Sequence, residues 1–257
     1  MHSDVVDLRD FYHGHLGHIA QRTIRQQIRH FWGSLEGQSV LGLGYATPYL
    51  SPFRGEAERV LAAMPASQGV ATWPSSGPGL TALVEETHLP FADYSIDRVL
   101  LVHGLEMTEQ LPDLMGEVWR VLAGGGRVLC VVPNRQGIWA RIDVTPFGHG
   151  QPYSAGQLSR TLRHHSFVPE RTRHALFVPP LRSRMLLRSA AAWEQVGHRF
   201  FERFAGVILM EASKQLYRVA PTATRRRPSL PRLVPLPSPA TSGRALASER
   251  LPAISAE

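Results

Sequence analysis

Short, mostly apolar segments alternate with amphipathic segments along most of this chain, and that alternation constrains the fold more than any other feature. Glycine, proline or polar turn residues bound each apolar segment, as expected for buried strands. These segments are residues 39–44, 60–64, 80–84, 98–102, 127–132 and 207–217. Strands that are apolar on both faces belong to parallel sheets covered by helices. We therefore predict an α/β fold, a doubly wound and mostly parallel sheet with helices on both faces.

Several helices are predicted between the strands, each from a local signal. Residues 8–32 repeat apolar side chains at helical spacing, and Gly33 ends the pattern. Ser154 and Gln157 are spaced as a capping box before residues 156–164. The remaining predictions are a helix end near 54–59, a loop over 66–79, a helix over 112–122 that the glycines at 124–126 stop, strand pieces over 167–172 and 175–178, and a helix over 181–201.

Composition divides the chain into an N-terminal helical segment (1–37), a main domain (38–220) and a Pro/Arg-rich tail (221–257). The tail has seven prolines and no helical or strand period, so we expect it to be disordered. Its six arginines and two glutamates give it +4 of the chain's net +7. The remainder is nearly neutral, and a nucleic-acid partner is therefore not expected.

The sequence also predicts a cytoplasmic location without a membrane span. No apolar run reaches the roughly 20 residues that a spanning helix needs. The first residues lack the basic-then-apolar order of a signal peptide, and Cys130 is the single cysteine. The histidines at 13, 15 and 18 lack carboxylate or cysteine partners at metal-ligand spacing, so no metal site is predicted.

Ligands of doubly wound sheets bind beyond the carboxyl ends of the strands, so the residues that follow each strand are the informative ones. Gly44 and Ala46 follow the first strand and permit a tight turn with close backbone approach. Glu85 follows the third strand. His103 follows the fourth, and histidine is a residue type that suits a general base. A packed, hydrogen-bonded histidine is the plainer interpretation.

Further blocks surround these positions: the turn at 40–50, Leu-Pro-Phe at 89–91 leading into the fourth strand, His103 with Glu106, and Glu-Val-Trp-Arg-Val-Leu at 117–122 before three glycines. Over about residues 38–135 this order resembles a class I S-adenosylmethionine (SAM)-dependent methyltransferase of the type 11 group. The resemblance implies a Rossmann-like methyltransferase fold, SAM as cofactor and methyl transfer to an unidentified small molecule.

The resemblance also implies a set of cofactor-binding positions, with His103 as the candidate catalytic base. They are Gly42, Gly44, Ala46, Met64, Glu85, Leu89 and His103. Residues 139–153, rich in aromatic side chains, glycine and proline, are expected to form a lid that lines the substrate pocket.

Two of these positions depart from the family pattern. Gly42 and Met64 stand where the family has acidic residues, whereas Glu85 matches the acid expected to contact the adenine amine. Losing two charged hydrogen bonds of roughly 1.5–3 kcal/mol each weakens binding by about 100-fold to 10⁴-fold. Cofactor binding is then weak or lost unless other residues substitute, for which the candidates are Thr47, Tyr49, Trp73 and Glu86.

Three functions remain open. The first is a methyltransferase that acts on a small molecule. The second is a catalytically inactive methyltransferase-fold binding or scaffold subunit. The third, an RNA methyltransferase that uses the arginine tail, ranks lowest because the core is nearly charge-balanced and lacks an Asn/Asp-Pro-Pro-aromatic motif after the fourth strand. The basic amphipathic helix over 181–201 suits packing on its own domain or contact with a membrane or protein partner.

Overall fold

The computed structural model describes residues 4–180, 193, 194, 197 and 202–216. Seven strands lie within them: β1 (Ser39–Gly44), β2 (Arg59–Pro65), β3 (Thr81–Val84), β4 (Ile96–Val102), β5 (Leu122–Pro133), β6 (Phe167–Ala175) and β7 (Val207–Lys214). The α-helices are α1 (Val5–His13), α2 (His15–Phe31), α3 (Thr47–Leu50), α4 (Leu111–Val121) and α5 (Ala155–His164). Short 3-10 helices occupy Ser51–Phe53, Trp139–Arg141, Pro146–Gly148 and Glu202–Phe204.

The strands form one sheet in the order β3-β2-β1-β4-β5-β7-β6. The five strands β1 to β5 run parallel, and β7 lies antiparallel between β5 and β6. This arrangement confirms the predicted doubly wound, mostly parallel sheet. The strand order reverses between β1 and β4, which makes their carboxyl ends the topological switch point where such folds bind ligands.

Each face of the sheet carries its own apolar core, which explains why the central strands are mostly apolar. All six residues of β1 are buried. On one face, side chains of α1 and α2 pack on alternate residues of β1, β4, β5 and β7. On the other face, α4 and α5 pack on the intervening residues.

The N-terminal helical segment differs from the prediction, because residues 8–32 form two helices rather than one. Gly14 has extended backbone angles (φ −75°, ψ 161°) and separates α1 from α2. The chain bends so tightly that a Cβ on Gly17 would lie 2.0 Å from the Phe11 carbonyl oxygen. Two helices at an angle bring Leu8 and Tyr12 into the same core as Ile24.

Elsewhere most boundaries fall close to those predicted. The Ser154–Gln157 capping box is present, and residues 66–79 contain no helix or strand. Three expectations were wrong. Residues 54–58 form a turn rather than a helix end. Helix α4 ends at Val121, before the glycines, because Leu122 is already extended. Strand β6 stops at Ala175, where Leu176 takes a positive φ of 63°.

Most of the helix predicted over 181–201 lies outside the described residues. Among the residues that the structure does describe, no helix is both long and apolar enough to cross a membrane.

Glu194, one of the described residues of that segment, holds the loop that follows β6. Its Oε1 accepts a hydrogen bond of 2.7 Å from the Phe177 amide, and the amides of Leu176 and Val178 also interact with the carboxylate. Burial nevertheless raises the pKa of Glu194 from 4.5 to about 7, because the ionised form loses more hydration than these amides restore.

This raised pKa predicts a pH-dependent contribution to stability. The folded protein holds the Glu194 proton up to about pH 7 whereas the unfolded chain loses it near pH 4.5, so stability falls as pH rises between these values. A shift of this size corresponds to roughly 3 kcal/mol. We expect wild type to lose up to that amount relative to Glu194→Gln between pH 4.5 and 7.5, measured by urea unfolding at each pH. Parallel pH profiles of the two proteins would contradict the assignment.

Candidate functional site

The candidate site lies at the switch point, where β1 and β4 end side by side. Gly44 ends β1 with a positive φ of 80°, and the amide of Tyr45 donates to the carbonyl of Val102 at the end of β4. His103 follows directly and also has a positive φ, of 51°. This backbone turns the His103 side chain into the protein, where it is fully buried.

A chain of buried hydrogen bonds connects His103 to two tyrosines. The Tyr12 hydroxyl lies 2.8 Å from His103 Nε2 and 2.8 Å from the Tyr49 hydroxyl. Burial is the main cause that raises the pKa of Tyr12 and of Tyr49 above their ordinary value. Both hydroxyls therefore keep their protons and act as neutral hydrogen-bonding groups.

Glu106 stands on the other side of the same imidazole. Its Oε1 lies 3.3 Å from His103 Nδ1, and both side chains are 0% exposed. Neither Nδ1 nor either Glu106 oxygen makes a hydrogen bond within the described residues, but a carboxylate so near favours the tautomer with its proton on Nδ1. In the neutral imidazole Nε2 is then the acceptor, and Tyr12 donates to it. The hydrogen-bonded chain runs from Tyr49 through Tyr12 to His103, and Glu106 lies beside the far nitrogen of the imidazole.

Aromatic rings fill the space around this chain. The rings of Tyr12 and Tyr45 stack with centroids 5.7 Å apart and an interplanar angle of 21°. Tyr49 meets Tyr12 edge to face at 5.9 Å, and Phe147 lies 4.8 Å from the His103 ring. All of these aromatic side chains are buried.

A side-chain bridge also crosses the end of the sheet. Gln68 lies in the turn after β2, and its Nε2 donates to the backbone carbonyl of His103. Because β1 lies between β2 and β4, the buried Gln68 side chain must pass over the carboxyl end of β1. The bridge therefore spans the crevice that the switch point creates.

Comparisons with known proteins agree with this architecture. The sequence profile of the methyltransferase domain family matches residues 41–130. Residues 41–130 are a type 11 methyltransferase domain. This match confirms the resemblance to a type 11 methyltransferase. The family carries out SAM-dependent methylation in general. A search of functionally characterised proteins by sequence finds no significant match.

Solved structures share the fold of this methyltransferase domain at low sequence identity. A SAM-dependent methyltransferase from Thermotoga maritima has a TM-score of 0.56 at 14% identity, covering 82% of this chain and 96% of its own. A Haloferax volcanii methyltransferase, in complex with the Trm112 methyltransferase activator, has a TM-score of 0.58 at 15% identity, with coverage of 82% and 99%. A SAM-dependent methyltransferase from Mesorhizobium loti has a TM-score of 0.54 at 14% identity, with coverage of 74% and 96%.

In the methyltransferase domain, the first-strand positions predicted to hold the cofactor contact other parts of the protein. A Cβ on Gly42 would lie 2.6 Å from Leu50 Cδ1 and 2.8 Å from the Cβ of Ala46, so an acidic side chain has no room there. A Cβ on Gly44 would lie 2.2 Å from the Val102 carbonyl oxygen. Both glycines are needed for packing within the protein itself.

Two other predicted cofactor positions, Met64 and Glu85, lie on β2 and just after β3. Met64 is buried, and its sulfur accepts a hydrogen bond of 3.2 Å from the Ala71 amide. Glu85 is exposed and pairs through its backbone with His88. The structure therefore does not bring Glu85 into the buried group around His103.

Leu89 has a structural role that joins the two most specific blocks of the resemblance. Its amide donates to Glu117 Oε2 at 2.7 Å, and its carbonyl accepts from Arg120 Nη2 at 2.9 Å. Arg120 also binds Glu117 and Asp93, and the hydrogen bond to Arg120 is the main cause that lowers the pKa of Glu117. These contacts fasten the Leu-Pro-Phe loop to α4.

The four candidates to replace the missing acids each have contacts within the protein. Tyr49 belongs to the hydrogen-bonded chain, Thr47 is buried at the start of α3, and Trp73 packs on the core beneath Arg54. Glu86 Oε1 accepts a 2.5 Å hydrogen bond from the hydroxyl of Thr108.

The segment predicted as a lid packs into the domain. Trp139 and Phe147 are buried, and Trp139 Nε1 donates to the Val178 carbonyl at 2.8 Å. Phe147 covers His103 and meets Phe11 of α1. Within the ranges described above, no group of three or more His, Cys, Asp or Glu side chains is placed to hold a metal ion.

The residues of this site do not fit SAM in the described arrangement. The Gln68 bridge crosses the crevice, Tyr12 and Phe147 fill the space around His103, and no acid can replace Gly42. Tyr12 and Gln68 are the residues that sequence reasoning missed. Phe147 lies in the aromatic-rich segment after β5, residues 139–153, that was expected to line the pocket.

Proposed function

We propose that this chain is a methyltransferase-fold binding protein whose cofactor crevice is closed by its own side chains, so that SAM binds weakly or not at all. The single observation that supports this proposal is the closure itself. Tyr12 makes two hydrogen bonds at the switch point, and Gln68 bridges over β1. The missing acids at Gly42 and Met64 point in the same direction.

The energetic cost of opening the crevice makes the closure effective against a ligand. A cofactor would have to displace Tyr12, break its two hydrogen bonds of about 1 kcal/mol each and expose an aromatic side chain worth about 2–3 kcal/mol of burial. A total of about 4–5 kcal/mol lowers apparent affinity by roughly 10³-fold. A micromolar cofactor would become a millimolar one.

Calorimetric titration of the full chain with SAM and with S-adenosylhomocysteine tests this proposal. We expect no saturable heat for either ligand below about 1 mM. A dissociation constant in the micromolar range for wild type would contradict it, because the crevice would then admit the cofactor despite Tyr12 and Gln68.

The runner-up function is methyl transfer to an unidentified small molecule, and the His103–Glu106 pair favours it. A histidine whose Nδ1 faces a buried carboxylate is oriented to accept a proton at Nε2 from a substrate hydroxyl or amine. Transfer of label from isotopically labelled SAM to a pool of small-molecule acceptors, lost in His103→Ala, is the result expected for this function. No transfer by wild type supports the binding protein.

The cytoplasmic location and a protein contact through residues 181–201 stay proposals. The first rests on the single, buried cysteine, Cys130. The second rests on the basic amphipathic pattern of the sequence, and the Haloferax structural neighbour shows that a protein of this fold can work with an activator.

A further inference from the structure

The side chain of Tyr12 sits in its surroundings as a bound phenol would. Its hydroxyl contacts two hydrogen-bonding partners, Tyr49 and His103, at 2.8 Å each. Its ring stacks on Tyr45 and meets Tyr49 and His103 edge to face. Tyr49 and His103 lie 37 and 91 positions away from Tyr12 in the sequence. The domain therefore builds the site, and α1 inserts Tyr12 into it.

The helix that carries Tyr12 is short, and Val5, Leu8, Phe11 and Tyr12 attach it to the core. α1 has nine residues, of which Leu8 and Tyr12 are buried. Extended backbone at Gly14 separates it from α2, so rotation at Gly14 would move α1 relative to α2. At its N-terminal end, the Val5 amide donates to the Gln68 carbonyl at 2.8 Å.

We propose that the crevice beneath α1 is a binding site for a small hydroxylated aromatic ligand and that Tyr12 fills it when the ligand is absent. The inference rests on the proposed function, since it names the ligand class of that same closed crevice. The ligand displaces α1 and takes the place of the Tyr12 side chain.

The chemistry of the site selects a neutral phenol. With a proton on Nδ1 facing Glu106, His103 Nε2 accepts the ligand's hydroxyl proton in a hydrogen bond, and the Tyr49 hydroxyl donates to the ligand's oxygen. The ring of Tyr45 supplies a stacking surface. Within the described part of the chain, neither carboxylate oxygen of Glu106 has a hydrogen-bond partner, so its charge is poorly compensated and disfavours an anionic ligand.

The first test uses Tyr12→Ala, which leaves the site without its internal phenol. We expect p-cresol to bind this variant saturably, to raise its melting temperature, and to bind at least tenfold more tightly than toluene or benzoate. Toluene lacks the hydroxyl and would leave buried polar groups unpaired. The double variant Tyr12→Ala/Tyr49→Phe should lose part of the preference for p-cresol over toluene. Equal binding of p-cresol and toluene to Tyr12→Ala would overturn the proposal.

The second test uses wild type and does not depend on the variant being folded. Amide hydrogen exchange of α1 is measured with increasing p-cresol, and cyclohexanol is the non-aromatic control. Saturable acceleration of exchange in α1, with α2 unchanged, supports displacement of α1 by the ligand. Unchanged exchange up to the solubility limit of p-cresol would overturn it. Because neither test involves SAM, failure here leaves the SAM titration to decide the proposed function separately.

Discussion

Glu211→Ala is expected to destabilise the protein by about 3–5 kcal/mol, because it removes the acid from a buried ionic cluster. Glu211 is fully buried on β7 and accepts hydrogen bonds from Arg171 at 2.7 and 3.0 Å and from Trp32 Nε1 at 3.1 Å. Arg127 lies 3.7 Å away. Without the carboxylate, Arg171 and the buried Trp32 indole N–H lose a hydrogen-bond acceptor, and Arg127 loses a nearby opposite charge. Urea unfolding of the variant measures the loss.

Glu170→Ala is the matched control, since it removes a second carboxylate from the same cluster. Glu170 pairs with Arg127 at 3.2 Å, but both side chains are about one-third exposed. An exposed pair contributes about 0–1 kcal/mol. Similar losses for Glu170→Ala and Glu211→Ala would show that burial of Glu211 is not what makes it important.

Gly44→Ala is expected to cost about 3 kcal/mol or more through two separate effects, a strained backbone and a steric clash. Its φ of 80° disfavours any side chain, and a Cβ would lie 2.2 Å from the Val102 carbonyl oxygen. The adjoining Tyr45 amide donates a hydrogen bond to the same carbonyl. Relief of the clash must therefore distort the junction of β1 and β4. Chemical denaturation measures the cost.

Gly37→Ala separates the two effects. Gly37 has a similar positive φ of 69°, but beyond its chain neighbours no atom lies within 4 Å of the position that a Cβ would take. We expect a loss of about 1–2 kcal/mol from the backbone conformation alone. If both alanine variants lose the same stability, close packing at the switch point is not the reason for Gly44.

The sheet could be predicted from the sequence because its determinants are local. The apolar runs at 39–44, 98–102 and 127–132 each fall within an observed strand. Ser154 and Gln157 lie three residues apart, so their capping box was also visible in the sequence. In these elements the signal spans a few neighbouring residues.

The closure of the crevice could not be predicted because its contacts are long-range. Tyr12 and His103 are 91 positions apart in the sequence, and Gln68 and His103 are 35 positions apart. Helical periodicity treated residues 8–32 as one helix, and the bend at Gly14 is what points Tyr12 towards the strand ends. Gln68 lies in a turn-rich segment that carries no signal for a buried side chain.

The resemblance identified the domain but not the state of its crevice. Its two specific blocks, Leu-Pro-Phe at 89–91 and residues 117–122, are joined by hydrogen bonds of Leu89 with Glu117 and Arg120. These contacts support the fold and lie outside the buried group around His103. A chain can therefore keep them while its cofactor crevice is filled.

A crystal structure of the full chain grown with millimolar SAM tests the central claim most directly. We expect the Tyr12 hydroxyl within hydrogen-bond distance of His103 Nε2, Gln68 on the His103 carbonyl, and no adenosyl density beyond β1. Well-ordered SAM across the ends of β1 and β2, with Tyr12 and Gln68 swung out, would contradict it.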